Sequence, residues 1–220
     1  MKKLTFCFYL IALCSFNSLF AQEESGNGRL FPQFEKGTVF LKNGRQSSTV
    51  FNYDMLQEQM LLLNADSTER KFTNPLDVIT LIKIGERIFR PVSSKGIFYE
   101  EIKAGEGSFF IHRKAFYLSA GKPSGYGGYS QTQASDSYSI YQTADKGFVQ
   151  MKSGEKFKLV LDSVFYLQSG NKYKKFNSAK TLGKLFKGHE SEIKTFADKE
   201  SINFRKMEDV ARIVKYGYSL

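Results

Sequence analysis

The sequence predicts an α+β fold, in which an antiparallel β-meander, twisted or partly curled, is packed against about three C-terminal helices. Two observations predict it: short apolar runs recur between turn residues from Gly37 to Phe176, and apolar residues recur every three or four positions from Ser178 onward. Consecutive strands joined by short turns favour antiparallel pairing, because parallel strands need helical crossovers. With 220 residues, of which 41% are hydrophobic and 15% aromatic, the chain can bury a core.

Residues 1–21 are typical of a secretory signal peptide. Two lysines precede an apolar run over 4–13, which is too short to span a bilayer, and a plausible cleavage site follows Ala21. A retained membrane anchor and a lipoprotein cysteine at Cys14 are the alternatives. Polar residues after the apolar run argue against a membrane anchor. Leu13 argues against a lipoprotein cysteine, since a small residue normally precedes such a cysteine. We therefore expect a protein exported to the periplasm, the outer membrane or the cell surface, with no transmembrane span after cleavage.

Both cysteines, Cys7 and Cys14, lie in the segment that cleavage would remove. The exported chain would then contain no thiol, although its compartment permits disulfides. Thiol catalysis, thiolate metal sites and disulfide bonds are excluded for such a chain, and its stability must come from packing.

Turn signals divide residues 37–176, the predicted antiparallel β domain, into strands. Asn43-Gly44 is the strongest signal, because this dipeptide favours the type I′ turn of a tight hairpin. The polar residues 22–36 before the domain predict a flexible lead-in. The predicted strands cover residues 38–41, 49–53, 59–63, 77–84, 87–92, 96–102, 108–118, 148–151, 156–161, 163–167 and 172–176.

Residues 119–147 interrupt this pattern with a stretch rich in Gly, Ser, Tyr and Gln that has almost no aliphatic residues. Such a composition cannot bury enough apolar surface to order itself, so it predicts a long hairpin loop. Its tyrosines have the composition of an adaptable recognition surface, since Tyr supplies contact area at low entropic cost. An insertion without specific function is the alternative. The candidate partner-binding tyrosines are Tyr126, Tyr129, Tyr138 and Tyr141.

Residues 177–220 predict a helical C-terminal segment with three helices. Ser178 can cap a short helix that Gly188 ends, a second helix is predicted over about 190–199, and a third over about 205–216. Their apolar stripes need a partner, which we expect to be one another and one face of the sheet.

Positive charge is concentrated towards the C-terminus. Residues 152–220 hold 15 basic and 8 acidic side chains, whereas residues 22–151 hold 15 and 14. A face of this kind attracts an acidic envelope protein or an anionic lipid or glycan, while export argues against nucleic acid as the partner. A solvated lysine-rich surface that keeps the protein soluble is the alternative. The candidate partner-binding lysines are Lys172, Lys174, Lys175, Lys180, Lys184 and Lys187.

Motifs for catalysis or for metal and cofactor binding are weak. Ser119-Ala-Gly-Lys122 matches the SxxK pattern of serine acyl-transferases, but Ser119 leads into a glycine-rich loop and the companion motifs are absent. His112 and His189 have no partner at metal-ligand spacing and are expected on the surface. We therefore predict no catalytic, cofactor-binding or metal-binding residue and no enzymatic activity.

A glycan-active hydrolase or glycan-binding protein is the alternative function. Its cleft would combine carboxylates with tyrosines, and the fold would bring them together from distant parts of the chain. The carboxylates available for such a cleft include Asp77, Glu100, Glu101 and Asp162. Because neighbouring residues on a strand point to opposite faces, Glu100 and Glu101 are not expected to form a pair.

Five segments share their pattern with a known group of proteins: the FAQ end of the signal peptide, LKNG, IGERIF, FYLQSGNKYKKF and LFKGHESEIKTFADKESINFRKMEDVARIV. The whole pattern resembles small uncharacterised secreted β-rich envelope proteins of Gram-negative bacteria that have a helical C-terminus. The resemblance implies a fold and a location, and it implies no activity. Together with the charge distribution, it predicts a non-enzymatic envelope protein that binds a partner protein or an anionic envelope component through its basic C-terminal region.

Overall fold

A computed structural model of the chain describes residues 27–73, 76–92, 96–119, 122–123, 129–130 and 157–220. Ten strands form one antiparallel sheet that does not close, and three helices follow at the C-terminus and pack on it. The predicted α+β class is therefore confirmed.

The described strands and helices follow the predicted order, except that β4, β10 and β11 were not predicted; the predicted strand over 148–151 lies outside the described residues. The strands are β1 Glu35–Leu41, β2 Gln46–Asp54, β3 Gln59–Leu63, β4 Glu69–Lys71, β5 Ile79–Ile84, β6 Arg87–Pro91, β7 Phe98–Ala104, β8 Gly107–His112, β9 Ala115–Ser119, β10 Lys122–Pro123, β11 Tyr129–Ser130, β12 Phe157–Leu161, β13 Val164–Ser169 and β14 Lys172–Phe176. The helices are α1 Ala179–Gly183, α2 Glu190–Lys199 and α3 Met207–Tyr218. A short 3₁₀ turn, Leu76–Val78, precedes β5.

The strands of the large sheet lie in the order β14-β13-β8-β7-β6-β5-β1-β2-β3-β4, so β14 and β4 form its edges. β9 pairs with β12, and β10 pairs with β11, in two separate two-stranded sheets. Most neighbours in the large sheet are consecutive in the chain, as in a meander. The exceptions are β1, which lies between β2 and β5, and β13, which pairs with β8 after the chain has formed β9–β12.

Two sequence predictions about element boundaries were wrong. Residues 27–36 are not a flexible lead-in, because Leu30 and Phe31 are buried in the core and Asn52 holds the backbone of Phe31 through hydrogen bonds to its N–H and C=O. The predicted strand over 108–118 is two strands, β8 and β9, interrupted at Arg113 and Lys114. Arg113 is buried in an ion pair at this point, and the chain leaves the large sheet there to pair with β12.

The large sheet has an inner face, on which Phe89, Glu100 and Ile111 lie side by side in register, and an outer face, which carries Glu101 and Phe110. Two hydrophobic cores lie against the inner face. The first is enclosed by β1–β7 and contains Leu30, Phe31, Val39, Phe51, Tyr53, Met55, Met60, Leu62, Phe72, Ile79, Ile82, Ile84, Phe89, Phe98 and Ala115. The second lies under the helices and contains Ala104, Phe109, Ile111, Phe165, Leu167, Phe176, Leu182, Ile193, Ala197, Val210, Ile213 and Val214.

The sheet curls around the first core. Phe72, which follows β4, lies 6.0 Å from Phe98 on β7, measured between ring centroids, although five strands separate β7 from β4 in the sheet. Since neighbouring strands are about 4.8 Å apart, a flat sheet would keep these rings far beyond contact. The predicted partial curl is thus observed.

The apolar stripes of the helices cover the second core, and at two glycines an aromatic side chain approaches the backbone closely. Val210, Ile213 and Val214 form the buried stripe of α3, with the spacing expected for one helix face. A Cβ atom on Gly107 of β8 would lie 2.2 Å from the ring of Tyr218, and one on Gly217 would lie 2.6 Å from Phe186. Any side chain at either position would push α3 away from its neighbours.

Candidate functional sites

An ionic cluster of two arginines and one glutamate lies between the two cores on the inner face. Glu100 Oε1 and Oε2 accept hydrogen bonds from Arg87 Nε and Nη2 at 2.6 and 2.8 Å, and Oε2 also accepts one from Arg113 Nε at 2.7 Å. The side chains of Glu100 and Arg113 are 3% and 5% exposed. Burial opposes ionisation of Glu100, but the two guanidinium groups outweigh it and hold its pKa below the usual range.

This inner cluster connects elements of the fold and is not open to a ligand. Arg87 also lies against aromatic rings, with its guanidinium carbon 5.0 Å from the ring centre of Phe31. Arg113 Nη2 lies 3.4 Å from the sulfur of Met207, where α3 begins. The cluster therefore ties β6, β7 and β8 to the helical layer, and we assign it a structural role.

A second ionic contact joins the turn between β2 and β3 to the end of β8. Glu58, in the turn between β2 and β3, lies 2.9 Å from His112 Nε2 and 3.0 Å from Lys114 Nζ. The backbone N–H of Ala115 donates to the carbonyl of Met55 in the same turn. Glu58 has a φ of +55°, which is costly for a residue with a side chain, so the surrounding contacts hold it in a strained conformation.

The expectation that His112 lies on the surface was wrong. Only 7% of the residue is exposed, because Tyr99 packs on its ring at 5.0 Å and the Glu58 turn covers its nitrogen. Strand alternation predicts that His112 lies on a polar face of its strand. The turn that covers this face contains Glu58, which is more than fifty positions earlier in the chain, so the sequence around His112 does not reveal it. His189 does lie at a helix start, as predicted, and is half-buried.

Three of the six predicted lysines line one pocket, which we call the lysine pocket. Lys174 on β14, Lys184 after α1 and Lys187 in the following loop border a space of about 570 Å³, together with His189. Among the described residues, none of these three ammonium groups has a carboxylate partner within ion-pair distance. The apolar part of the lining comes from Leu167, Leu185, Phe186, Tyr218 and Leu220.

The other three predicted lysines lie outside this pocket. Lys172 and Lys175 are exposed on the edge strand β14, and Lys180 is exposed on α1. Lysines on an edge strand also prevent it from pairing with another chain, so Lys172 and Lys175 have a structural explanation. Of the predicted tyrosines, Tyr129 begins the two-residue strand β11, and Tyr126, Tyr138 and Tyr141 lie outside the described residues.

A groove on the outer face, which we call the outer groove, has a volume of about 780 Å³ and crosses six neighbouring strands. Arg90 and Glu101 form its polar centre, with Arg90 Nε donating to Glu101 Oε2 at 2.7 Å. Ser108 donates to the other oxygen of Glu101 at 3.0 Å, and Lys103 Nζ lies 3.3 Å from that oxygen. Burial opposes ionisation of Glu101, but these donors, led by Arg90, keep its pKa below the usual range.

Aromatic rings form one wall of the outer groove. The ring of Tyr173 meets Phe110 edge-on at 4.9 Å and Tyr99 at 5.2 Å, with interplanar angles of 77° and 75°. Tyr99 also stacks on Tyr166 at 4.7 Å. Burial raises the pKa of Tyr173. Its phenol can both donate and accept a hydrogen bond.

The outer groove was only partly anticipated by the sequence. Glu101 and Asp77, which lies on the rim, were among the candidate carboxylates for a cleft, but Phe110 and Tyr173 were not singled out. Phe110 pairs with Tyr166 across β8 and β13, which are more than fifty residues apart in the chain. The apolar residues of β8, Phe109, Phe110 and Ile111, are consecutive and do not alternate, which indicates that both faces of the strand are buried, and this is the signal that identifies an outer-face cluster.

Among the residues that the structure describes, no group of three or more His, Cys, Asp or Glu side chains is arranged to hold a metal ion. Within the same ranges, no helix has the length and apolar character needed to cross a membrane. Comparison with models of known protein families, with curated proteins and with solved structures found no match. The described part of the chain is therefore characterised by its architecture, as an α+β protein with a curled antiparallel sheet and a helical layer, in which the lysine pocket and the outer groove are open.

Proposed function

We propose that the protein is exported to the cell envelope and binds there, without catalysis, an anionic amphiphile of the phosphorylated lipid class. The lysine pocket is the observation that carries this proposal. It combines three ammonium groups, at Lys174, Lys184 and Lys187, with an apolar lining. Ammonium groups bind phosphate oxygens as point charges, and the apolar lining suits the hydrocarbon next to a head group.

The absence of internal partners supports an external anion. Each of the three lysines lacks an ion pair with any other described residue, so binding an anion would not require an existing contact to be broken. In contrast, the arginines of the inner cluster already share Glu100. A volume of about 570 Å³ fits a head group and the first part of its chains rather than a whole lipid.

The directions in which the pKa values of the carboxyl groups are shifted favour a binding function over glycoside hydrolysis. A hydrolase needs one carboxylic acid whose pKa is raised, so that it can protonate the leaving group. Among the described residues, the carboxyls whose pKa departs from the ordinary range are Glu58, Asp66, Glu100, Glu101 and Glu192, and all five are lowered. These groups remain ionised at neutral pH and are suited to accepting hydrogen bonds.

The proposal is tested by vesicle binding with matched lysine variants. The exported chain is incubated with vesicles of phosphatidylglycerol and phosphatidylethanolamine, or of phosphatidylcholine alone, and bound protein is measured by co-sedimentation at several salt concentrations. The pocket variant is K174Q/K184Q/K187Q, and the control is K172Q/K175Q/K180Q. Both remove three positive charges from the same region of the chain.

We expect the wild type to bind only the anionic vesicles, with an affinity that falls as salt rises. The pocket variant should lose about tenfold or more in affinity, and the control should stay within about threefold, since each lysine near an anionic surface contributes on the order of 1 kcal/mol only where it reaches that surface. Equal losses of vesicle affinity in the two variants would contradict the lysine pocket as the binding site. They would indicate that the vesicles attract the positive charge of the whole region. If the wild type binds no anionic vesicle and instead crosslinks to an acidic envelope protein, the lipid proposal is wrong.

Export is tested separately by determining the mass of the protein recovered from the envelope fraction. We expect a chain that begins at Gln22. A cytoplasmic chain that retains residues 1–21 would contradict the location.

A further inference from the structure

We infer that the outer groove is a second binding site, and that its ligand is a neutral saccharide. The groove and the lysine pocket lie on opposite sides of the β13–β14 hairpin, and Gln168 is the one lining residue they share. The inference therefore rests on residues that the proposed function does not use.

The charges around the groove nearly balance one another. Among the lining residues, Lys42 and Arg90 are positive and Asp77 and Glu101 are negative, and Lys103, which contacts Glu101 from outside the lining, adds one further positive charge. Arg90 and Glu101 are moreover paired with each other at 2.7 Å. A site of this kind gives an anionic or cationic ligand little net attraction, whereas the lysine pocket strongly favours anions.

The aromatic wall suits the face of a pyranose ring. A sugar ring presents C–H groups on its faces and hydroxyl groups at its edge, so it packs on an aromatic ring and hydrogen-bonds to its surroundings at the same time. Tyr173 is half-buried and is held from two sides by Phe110 and Tyr99, so it forms a rigid platform with a polar tip. A rigid aromatic side chain loses little entropy when a ligand binds.

The paired Arg90 and Glu101 suit the hydroxyl edge. The contact between them uses one of the five N–H donors of the guanidinium, and Arg90, Ser108 and Lys103 together occupy three of the about four acceptor positions of the carboxylate, so one acceptor position is left for a ligand. Hydrogen bonds to ionised groups are stronger than those between neutral groups, so hydroxyls that bind here gain charge assistance without adding net charge. Ser108 and Lys103 fix the carboxylate in place before a ligand arrives.

The test uses calorimetric titration and saturation-transfer NMR of the exported chain with cellopentaose, N-acetylchitopentaose and an oligogalacturonate. We expect at least one of the two neutral oligosaccharides to bind and to bind more tightly than the anionic one. Binding of neither neutral probe at millimolar concentration, or preference for the oligogalacturonate, would overturn the inference.

Variants place the binding in the groove. Y173A should lose about tenfold in affinity, and Y173F should stay within about threefold because it keeps the platform. E101Q should weaken binding about fivefold or more, because it removes the charge assistance. D77N changes an exposed rim residue, and we expect it to leave the thermal midpoint unchanged and to weaken binding by about twofold.

Two controls separate the groove from the rest of the molecule. Y117A replaces a tyrosine on β9, outside the groove, and should bind as the wild type does. K174Q/K184Q/K187Q, which is expected to lose vesicle binding, should also bind the saccharide normally, so that the two sites succeed or fail independently. Unchanged affinity in Y173A, E101Q and D77N, each with a wild-type thermal midpoint, would place the saccharide elsewhere and overturn the inference.

Discussion

Glu100 and Glu101 are neighbours on β7, and each accepts a hydrogen bond from an arginine, yet they serve different parts of the molecule. Glu100 points to the inner face, where two arginines and the helical layer cover it. Glu101 points to the outer face, where its side chain is 7% exposed and its partner Arg90 is 33% exposed, and both line the outer groove. The difference shows that residue type and pairing do not distinguish an ion pair covered by the helical layer from one that lines a groove. The two are distinguished by the face of the sheet on which they lie.

The largest effect expected from this comparison is the loss of stability in E100Q. Removing the charge leaves Arg113 buried without a carboxylate, which costs roughly 3–5 kcal/mol of the free energy of unfolding. E101Q leaves Arg90 in contact with water and should cost about 1 kcal/mol or less. Urea denaturation followed by circular dichroism measures both. Similar losses in the two variants would show that burial does not separate them.

A double variant tests whether the buried ion pair of the inner cluster stabilises the folded chain more than apolar side chains at the same positions would. In E100L/R113M, both charges are replaced by apolar side chains of similar volume, and the remaining Arg87, 26% exposed, can still reach water. Replacement of a buried ion pair by apolar residues is often neutral. We expect the double variant to be more stable than E100Q by about 1–3 kcal/mol, measured in the same denaturation experiment. A double variant less stable than E100Q would mean that the cluster is needed as a unit.

The contributions of Glu100 and Glu101 to stability should also differ in their dependence on pH. The pKa of each is lower in the folded chain than its usual value, so the unfolded chain binds more protons in acid. The stability from these groups is complete above the unfolded pKa of about 4.3 and is lost as the pH falls through the folded pKa. We expect the free energy of unfolding to decrease below about pH 4 in the wild type, and less steeply in E100Q than in E101Q. A wild-type acid slope retained in E100Q would contradict the assignment.

The smallest effect concerns Glu58, whose side chain is 18% exposed and thus more exposed than those of Glu100, at 3%, and Glu101, at 7%. E58Q loses the charge and keeps the unfavourable φ of +55°, whereas E58N loses the charge but places there a residue that tolerates this conformation. We expect E58N to be more stable than E58Q by up to about 1 kcal/mol, measured as the difference in thermal unfolding midpoint and urea midpoint. A more stable E58Q would show that its amide keeps a contact that outweighs the strain.

The helical part of the fold could be predicted from the sequence because its signals are local. Ser178 caps α1 with hydrogen bonds to Thr181, three residues away, and the buried stripe of α3 repeats within four residues. Most strands were predicted for the same reason, since turn dipeptides such as Asn43-Gly44 act between adjacent strands.

The sites could be predicted only in part because they depend on distant pairing. The lysine pocket contains Lys174, Lys184 and Lys187, and composition alone could not separate them from the other three lysines, because the separation depends on where α1 packs against β14. The interruption at Arg113 was missed because the apolar pattern continues through Ala115–Leu118, and only the partner Glu100 explains why an arginine is buried there. The outer groove depends on β8 pairing with β13 after the chain has formed β9–β12.

An open sheet must also avoid joining with its own copies, and both of its edges are built for that. β4 is three residues long, all of them charged and exposed, and β14 carries Lys172, Lys174 and Lys175. Charges on edge strands repel an approaching strand of the same kind. On β14 this protection resides partly in a lysine that also lines the lysine pocket. If the proposed anion neutralises Lys174, it will weaken the barrier to strand pairing at the same edge, so that ligand occupancy and the tendency of the protein to self-associate would be coupled through one side chain.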